Sequence, residues 1–73
     1  MVKVYSKPGC PQCSMSYKLL EQLGISYNKI DITQDEDGYN RVISLGYQSL
    51  PVFEVNGNHW NGFDPDAIKS LAA

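Results

Sequence analysis

Two residues of this chain are suited to redox chemistry by type and by spacing: Cys10 and Cys13, separated by Pro11 and Gln12. The thiolate rather than the thiol attacks a disulfide, and a free cysteine titrates at about 8.5. Chemistry near neutral pH therefore benefits from surroundings that favour the anion. A position just before a helix offers them, because the first N–H groups are unpaired and the positive end of the dipole lies there. A second cysteine three residues on sits about one turn inward, within reach of a mixed disulfide formed on the first. On this reading Cys10 is the nucleophile and Cys13 the resolving cysteine, cycling between a dithiol and a Cys10–Cys13 disulfide. Lys7 is near enough in sequence to add positive charge, or is simply an exposed loop lysine. The same spacing occurs in zinc knuckles, but zinc takes four ligands, and His59 is the one other soft or nitrogen donor of the usual kind. No metal is expected. Nor do the cysteines read as a structural staple: a framework of that kind uses four or more, and a bridge across so short a loop stabilises little.

The flanking sequence supplies the elements that must position this pair. Val2 to Tyr5 is β-prone and bounded by the loop Ser6-Lys7-Pro8-Gly9. From Pro11 to Leu23 the apolar residues Met15, Leu19, Leu20 and Leu23 fall at helical spacing, with proline suited to the first turn and Gly24 as a C-terminal stop. Ile25 to Ile32 alternates as a second strand, with Ile30 and Ile32 on one face. Asp35, Glu36 and Asp37 suit a helix N-terminus, and that segment runs to Leu45-Gly46, weakened locally by Gly38 and Asn40. Pro51 to Val55 is the most apolar strand, and Asn56-Gly57 after it is a strong hairpin signal that places His59 and Trp60 on the returning strand. Asp64-Pro65 reads as an N-cap followed by proline at the first helical position, with Ile68 and Leu71 on the buried side of the last helix. The order is β-α-β-α-β-β-α. Strands joined through a helix run parallel and the hairpin adds an antiparallel edge, so the fold class is α/β with a four-stranded mixed sheet, three helices and helices on both faces.

Bulk properties narrow the function. The 73 residues suffice for one domain, 1–73, and the balance of 42% hydrophobic and 19% charged residues is that of a globular protein. A net charge of −2 gives no basic footprint for nucleic acid. No apolar run approaches the roughly 20 residues that span a membrane, and the N-terminus has no apolar signal region, so a cytoplasmic protein is expected. His59, beside Trp60 on a strand, reads as a surface or half-buried residue before it reads as a general base.

Three separated segments then match one family. Val4-Tyr5-Ser6-Lys7-Pro8 leads into Cys10-Pro11-Gln12-Cys13; Leu45-Gly46-Tyr47-Gln48-Ser49-Leu50-Pro51-Val52 follows; and His59-Trp60-Asn61-Gly62-Phe63 precedes Pro65-Asp66. In these the chain resembles the glutaredoxin-like NrdH-redoxins over nearly its whole length. The resemblance implies a thioredoxin fold with Pro51 cis and facing the cysteine pair. It implies a monomeric electron donor to the large subunit of class Ib ribonucleotide reductase, itself reduced by thioredoxin reductase. No bound cofactor is implied, NADPH being used through that flavoprotein. Carried over by residue, Cys10 and Cys13 are the redox pair, while Trp60, Gly62 and Phe63 shape the surface beside Pro51. Lys7, Pro11, Gln12 and Leu50 complete the expected partner-binding set, and Tyr47 and Gln48 are docking candidates. Two positions depart from the family: serine is usual where Asn61 stands, and arginine where Asp64 stands. Ordinary glutaredoxins carry Gly-Gly-x-Asp here, whose acid binds glutathione, so glutathione remains the alternative reductant, with helix capping the other role for Asp64.

Overall fold

The computed structural model describes residues 1–72; Ala73, at the end of the expected domain, lies outside the described residues. The elements are β1 (Val2–Ser6), α1 (Pro11–Gln22), β2 (Asn28–Asp31), α2 (Glu36–Ser44), β3 (Val52–Val55), β4 (Asn58–Asn61) and α3 (Pro65–Ser70). They form one mixed sheet in the order β2-β1-β3-β4. β1 runs parallel to β2 and antiparallel to β3, and β3 pairs antiparallel with β4.

Alternation along the two central strands divides the core. Val4 and Phe53 project to the side where Leu20 of α1 and Ile68 of α3 close the packing, all four fully buried. Tyr5 and Val52 project to the other side and meet Val42 of α2. Helices thus cover both faces, as the βαβ pattern requires. Asn56 and Gly57, both at positive φ, make the tight turn between β3 and β4.

Four local details differ from the periodicity or refine it. α1 buries Cys13, Ser16 and Leu20, while Met15 and Leu23 are 44% and 37% exposed. A serine can occupy the inner face because its hydroxyl donates to the Gln12 carbonyl at 2.8 Å, leaving no polar group unpaired. β2 is shorter than Ile25–Ile32, since the Ile25 N–H is spent on the Leu20 carbonyl at the end of α1. Gly38, an apparent weakness in α2, sits where the helix approaches the sheet: a Cβ there would lie 2.6 Å from Ile30 Cγ2. Glycine is what lets α2 pack this closely.

Candidate active site

Three segments meet at the cysteine pair. The first is the redox turn. β1 ends at Ser6, and Gly9, at φ +75°, turns the chain so that Cys10 becomes the N-cap of α1 with Pro11 opening the helix. The Cys13 N–H donates to Cys10 Sγ at 3.2 Å, so the sulfur takes the capping place that a serine or aspartate oxygen usually fills. The two Cα atoms are 5.2 Å apart and the sulfurs are joined as a disulfide. The pair is asymmetric: Cys13 is buried at 2% exposure, whereas Cys10 is only partly covered.

The second segment is Leu50-Pro51, joined by a cis peptide bond, as the resemblance implies. The Leu50 carbonyl oxygen lies 3.9 Å from Cys10 Sγ. Pro51 itself is buried, and its carbonyl accepts the Gly62 N–H at 2.8 Å. The third segment is the β4–α3 loop. Gly62 has φ +85°, and the Phe63 N–H that follows donates to Gln12 Oε1 at 3.0 Å. Cys10, Cys13, Gln12, Leu50, Pro51, Gly62 and Phe63 are therefore brought together, the longest-range tie being the Gln12–Phe63 bond across 51 positions.

Beside them opens a cleft of about 660 Å³, lined by Lys7, Cys10, Pro11, Gln12 and Leu50 among others. Tyr47 and Gln48 also line it. Trp60 does not. Its ring stacks on Phe53 at 5.1 Å between centroids and packs against the α1–α3 side of the core, with Nε1 buried and unpartnered among the described residues. The lone histidine, His59, is engaged through Nδ1 with the Tyr47 hydroxyl at 2.7 Å. Asn61 Nδ2 donates to Ser49 Oγ at 2.6 Å, giving the segment before Pro51 a second tie to β4. Asp64 caps α3, its Oδ1 accepting the Ala67 N–H at 3.1 Å.

The far wall of the cleft is formed by residues that sequence reasoning passed over. Tyr39 and Ile43 of α2 are 50% and 55% exposed, and both line the cleft with Val42 and Ile32. The signal was present as apolar residues at Tyr39, Val42 and Ile43, a helical i, i+3, i+4 set. Periodicity alone assigns such a set to core. Here only Val42 is buried.

α2 is braced against the sheet by charge. Arg41 of α2 pairs bidentately with Glu54 of β3, and the Tyr5 hydroxyl donates to the same carboxylate at 2.9 Å. The Arg41 bonds hold the Glu54 carboxyl down to about 2, against the desolvation that opposes this. Burial, and then the bond to that carboxylate, push the Tyr5 phenol up to about 12.

A four-stranded mixed sheet with a capping cysteine at the head of α1, its partner one turn inward, and a cis-proline turn against them defines a thioredoxin-fold thiol–disulfide oxidoreductase. The glutaredoxin family model matches residues 2–60. A glutaredoxin-like protein NrdH of Lactococcus lactis is 36% identical over 72 residues, covering 99% of this chain and all of that relative. The NrdH-redoxin of Escherichia coli superposes with a TM-score of 0.91 at 26% identity, over 96% of this chain and 92% of the other. A buckwheat glutaredoxin solved as its glutathione complex gives 0.74 at 32% identity, over 94% of this chain and 66% of that one. The chain belongs to the glutaredoxin family, in its NrdH-redoxin branch, and is a protein disulfide reductase with a redox-active cysteine pair. Among the described residues no helix is long and apolar enough to cross a membrane.

Proposed function

We propose that the protein is a cytoplasmic dithiol electron carrier that reduces the disulfide of a class Ib ribonucleotide reductase large subunit and is itself restored by thioredoxin reductase at the expense of NADPH. Cys10 is the nucleophile. Its thiolate attacks one sulfur of the target disulfide, forming a mixed disulfide and releasing the other target sulfur as a thiolate that takes up a proton. The Cys13 thiolate then attacks Cys10 Sγ, which closes the Cys10–Cys13 disulfide and releases the second target thiol. Two electrons leave the protein, and the reductase returns them by the reverse exchange. The observation that carries this assignment is the asymmetry of the pair: a partly exposed Cys10 sulfur receiving an N–H at a helix N-terminus, with Cys13 buried behind it.

The protein character of the partner is supported by the apolar cleft wall, where Tyr39 and Ile43 leave large hydrophobic side chains half exposed beside the redox turn. The E. coli NrdH-redoxin is described as having a thioredoxin-like activity profile, which favours thioredoxin reductase as the electron source. A second reading, reduction by glutathione, is favoured by the similarity to the buckwheat glutaredoxin–glutathione complex. Against it, Asp64 has a structural role of its own, its Oδ1 capping α3. The deciding experiment supplies the oxidised protein either with NADPH and thioredoxin reductase or with glutathione, glutathione reductase and NADPH, and follows disulfide reduction. Turnover with the first is expected; turnover with glutathione alone overturns the proposal.

A further inference from the structure

The bond between Gln12 and Phe63 closes a ring of contacts around the disulfide. Starting from Cys10, the ring passes to the Leu50 carbonyl, through the peptide to Pro51, from the Pro51 carbonyl to the Gly62 N–H, and from the Phe63 N–H to Gln12 Oε1. Gln12 lies between the two cysteines, at the second position of α1, so the ring returns to its origin through the backbone. Every other member of the ring is a main-chain group or the sulfur itself. The Phe63 N–H stands in the loop just before α3, where it has no helical partner, and only an acceptor can satisfy it. The amide oxygen of Gln12 is the acceptor supplied. A Cβ at Gly62 would stand 3.5 Å from that oxygen, so the loop presents its backbone edge to the glutamine.

From this geometry we infer that Gln12 is a positioning residue, whose side chain holds the β4–α3 loop against the redox turn and so fixes the surface that a protein disulfide must meet. The Gln12 side-chain oxygen is engaged by the Phe63 N–H at 3.0 Å, and among the described residues it makes no hydrogen bond to the cysteines. A small disulfide needs access to Cys10 Sγ alone, whereas a folded partner must also meet the loop carrying Gly62 and Phe63. Ordering that loop beforehand removes an entropic cost of binding the large partner and leaves the small one little affected. The inference rests on the disulfide reductase activity and not on which reductase or target serves the protein.

Three variants separate this role from a general one. Gln12→Met keeps the length of the side chain and deletes the acceptor, Gln12→Glu keeps an acceptor oxygen, and Gln12→Ala removes both. Each is assayed with dithiothreitol as reductant against insulin disulfides and against a small aromatic disulfide. Amide hydrogen exchange at Phe63 is measured in parallel. A net hydrogen bond of about 0.5–1.5 kcal/mol corresponds to roughly a two- to twelve-fold effect. The expected result is that Gln12→Met and Gln12→Ala lower kcat/KM for insulin relative to that for the small disulfide by that factor, chiefly through KM. Phe63 exchange should accelerate by a similar factor, and Gln12→Glu should restore both. A ratio unmoved in Gln12→Met, equal losses on both substrates, or failure of Gln12→Glu to slow Phe63 exchange would each overturn the assignment. None of these outcomes depends on thioredoxin reductase, so failure of the proposed electron source leaves the test intact.

Discussion

Replacing Glu54 by glutamine removes the charge that braces α2 while keeping the shape of the side chain and an oxygen for the Tyr5 hydroxyl. The Glu54 carboxyl is held at about 2 in the folded protein against an ordinary 4.5, principally by its hydrogen bonds from Arg41. A folded value below the unfolded one means that the native state favours the ionised form. The resulting stability is fully present above about pH 5 and is lost as pH falls through the folded value near 2. A depression of this size corresponds to an upper bound of about 3 kcal/mol. The Arg41 side chain is 48% exposed and that of Glu54 14%, so solvent screens the pair, and a net contribution of about 1–2 kcal/mol is the better expectation. Urea denaturation of wild type and Glu54→Gln across pH 7 to pH 2 measures it. The variant should be less stable by that amount at pH 7, and the deficit should shrink between pH 5 and pH 2 as wild type loses the same charge. Taking the difference between the proteins cancels the other acids, including Asp31, whose carboxyl is lowered by bonds from Thr33. A deficit absent at pH 7, or one that stays constant down to pH 2, refutes the reasoning.

The remaining predictions concern the site and the elements that carry it. Cys13→Ser should accumulate a mixed disulfide with a target protein, visible as a covalent adduct by non-reducing electrophoresis or mass spectrometry. Cys10→Ser should lose turnover entirely, and full activity in that variant would end the assignment of the nucleophile. Gly38→Ala should destabilise by about 1–2 kcal/mol in chemical denaturation, because crowding of Ile30 at 2.6 Å outweighs the gain of about 1 kcal/mol in helix propensity; an equally stable variant would show that α2 shifts freely on the sheet. Asp64→Ala should cost about 0.5–2 kcal/mol as a lost N-cap, and Asp64→Asn should retain most of it in thermal melts. If Asp64→Ala instead keeps its melting temperature and loses reduction by glutathione, the carboxylate serves a ligand and not the helix.

Much of the architecture was legible because each element carries its own punctuation. Gly24 stops α1, Asn56-Gly57 sets the hairpin, and Asp64-Pro65 opens α3, each a local rule that the fold obeys. The cysteine pair was legible for the same reason, since a proline-led helix beginning at Cys10 fixes both sulfurs at its N-terminus. Periodicity failed where burial is decided by a neighbour. Met15 and Leu23 satisfy a helical spacing yet face outward, because the inner face of α1 is set by Cys13 and Leu20 with Ser16 between them. Gly38 reads as a defect until Ile30 is seen against it. Tyr39 and Ile43 share a helical spacing with Val42 and drew no notice in the sequence, yet of the three only Val42 is buried on the nine-residue α2. The bonds from Gln12 to Phe63 and from Asn61 to Ser49 link residues 51 and 12 positions apart, and no spacing rule reaches them.

These two kinds of residue divide the labour of the site. The groups that favour a thiolate on Cys10 are all local: the Cys13 N–H, the free N-terminus of α1 and the turn at Gly9. A change in any of them alters the sulfur chemistry for every disulfide alike. The groups that would face a partner under the proposed function come from far along the chain, from α2, the Leu50-Pro51 turn and the β4–α3 loop, the Leu50 carbonyl approaching Cys10 Sγ at 3.9 Å. A change among them acts through how well a large partner fits, which is differential binding and not reactivity. Variants at Tyr39 and Ile43 therefore belong with Gln12, raising KM for protein disulfides ahead of any change in kcat. Under the proposed function, selectivity between a reductase and a tripeptide would reside in this distant set, to which Asn61 and Asp64 belong.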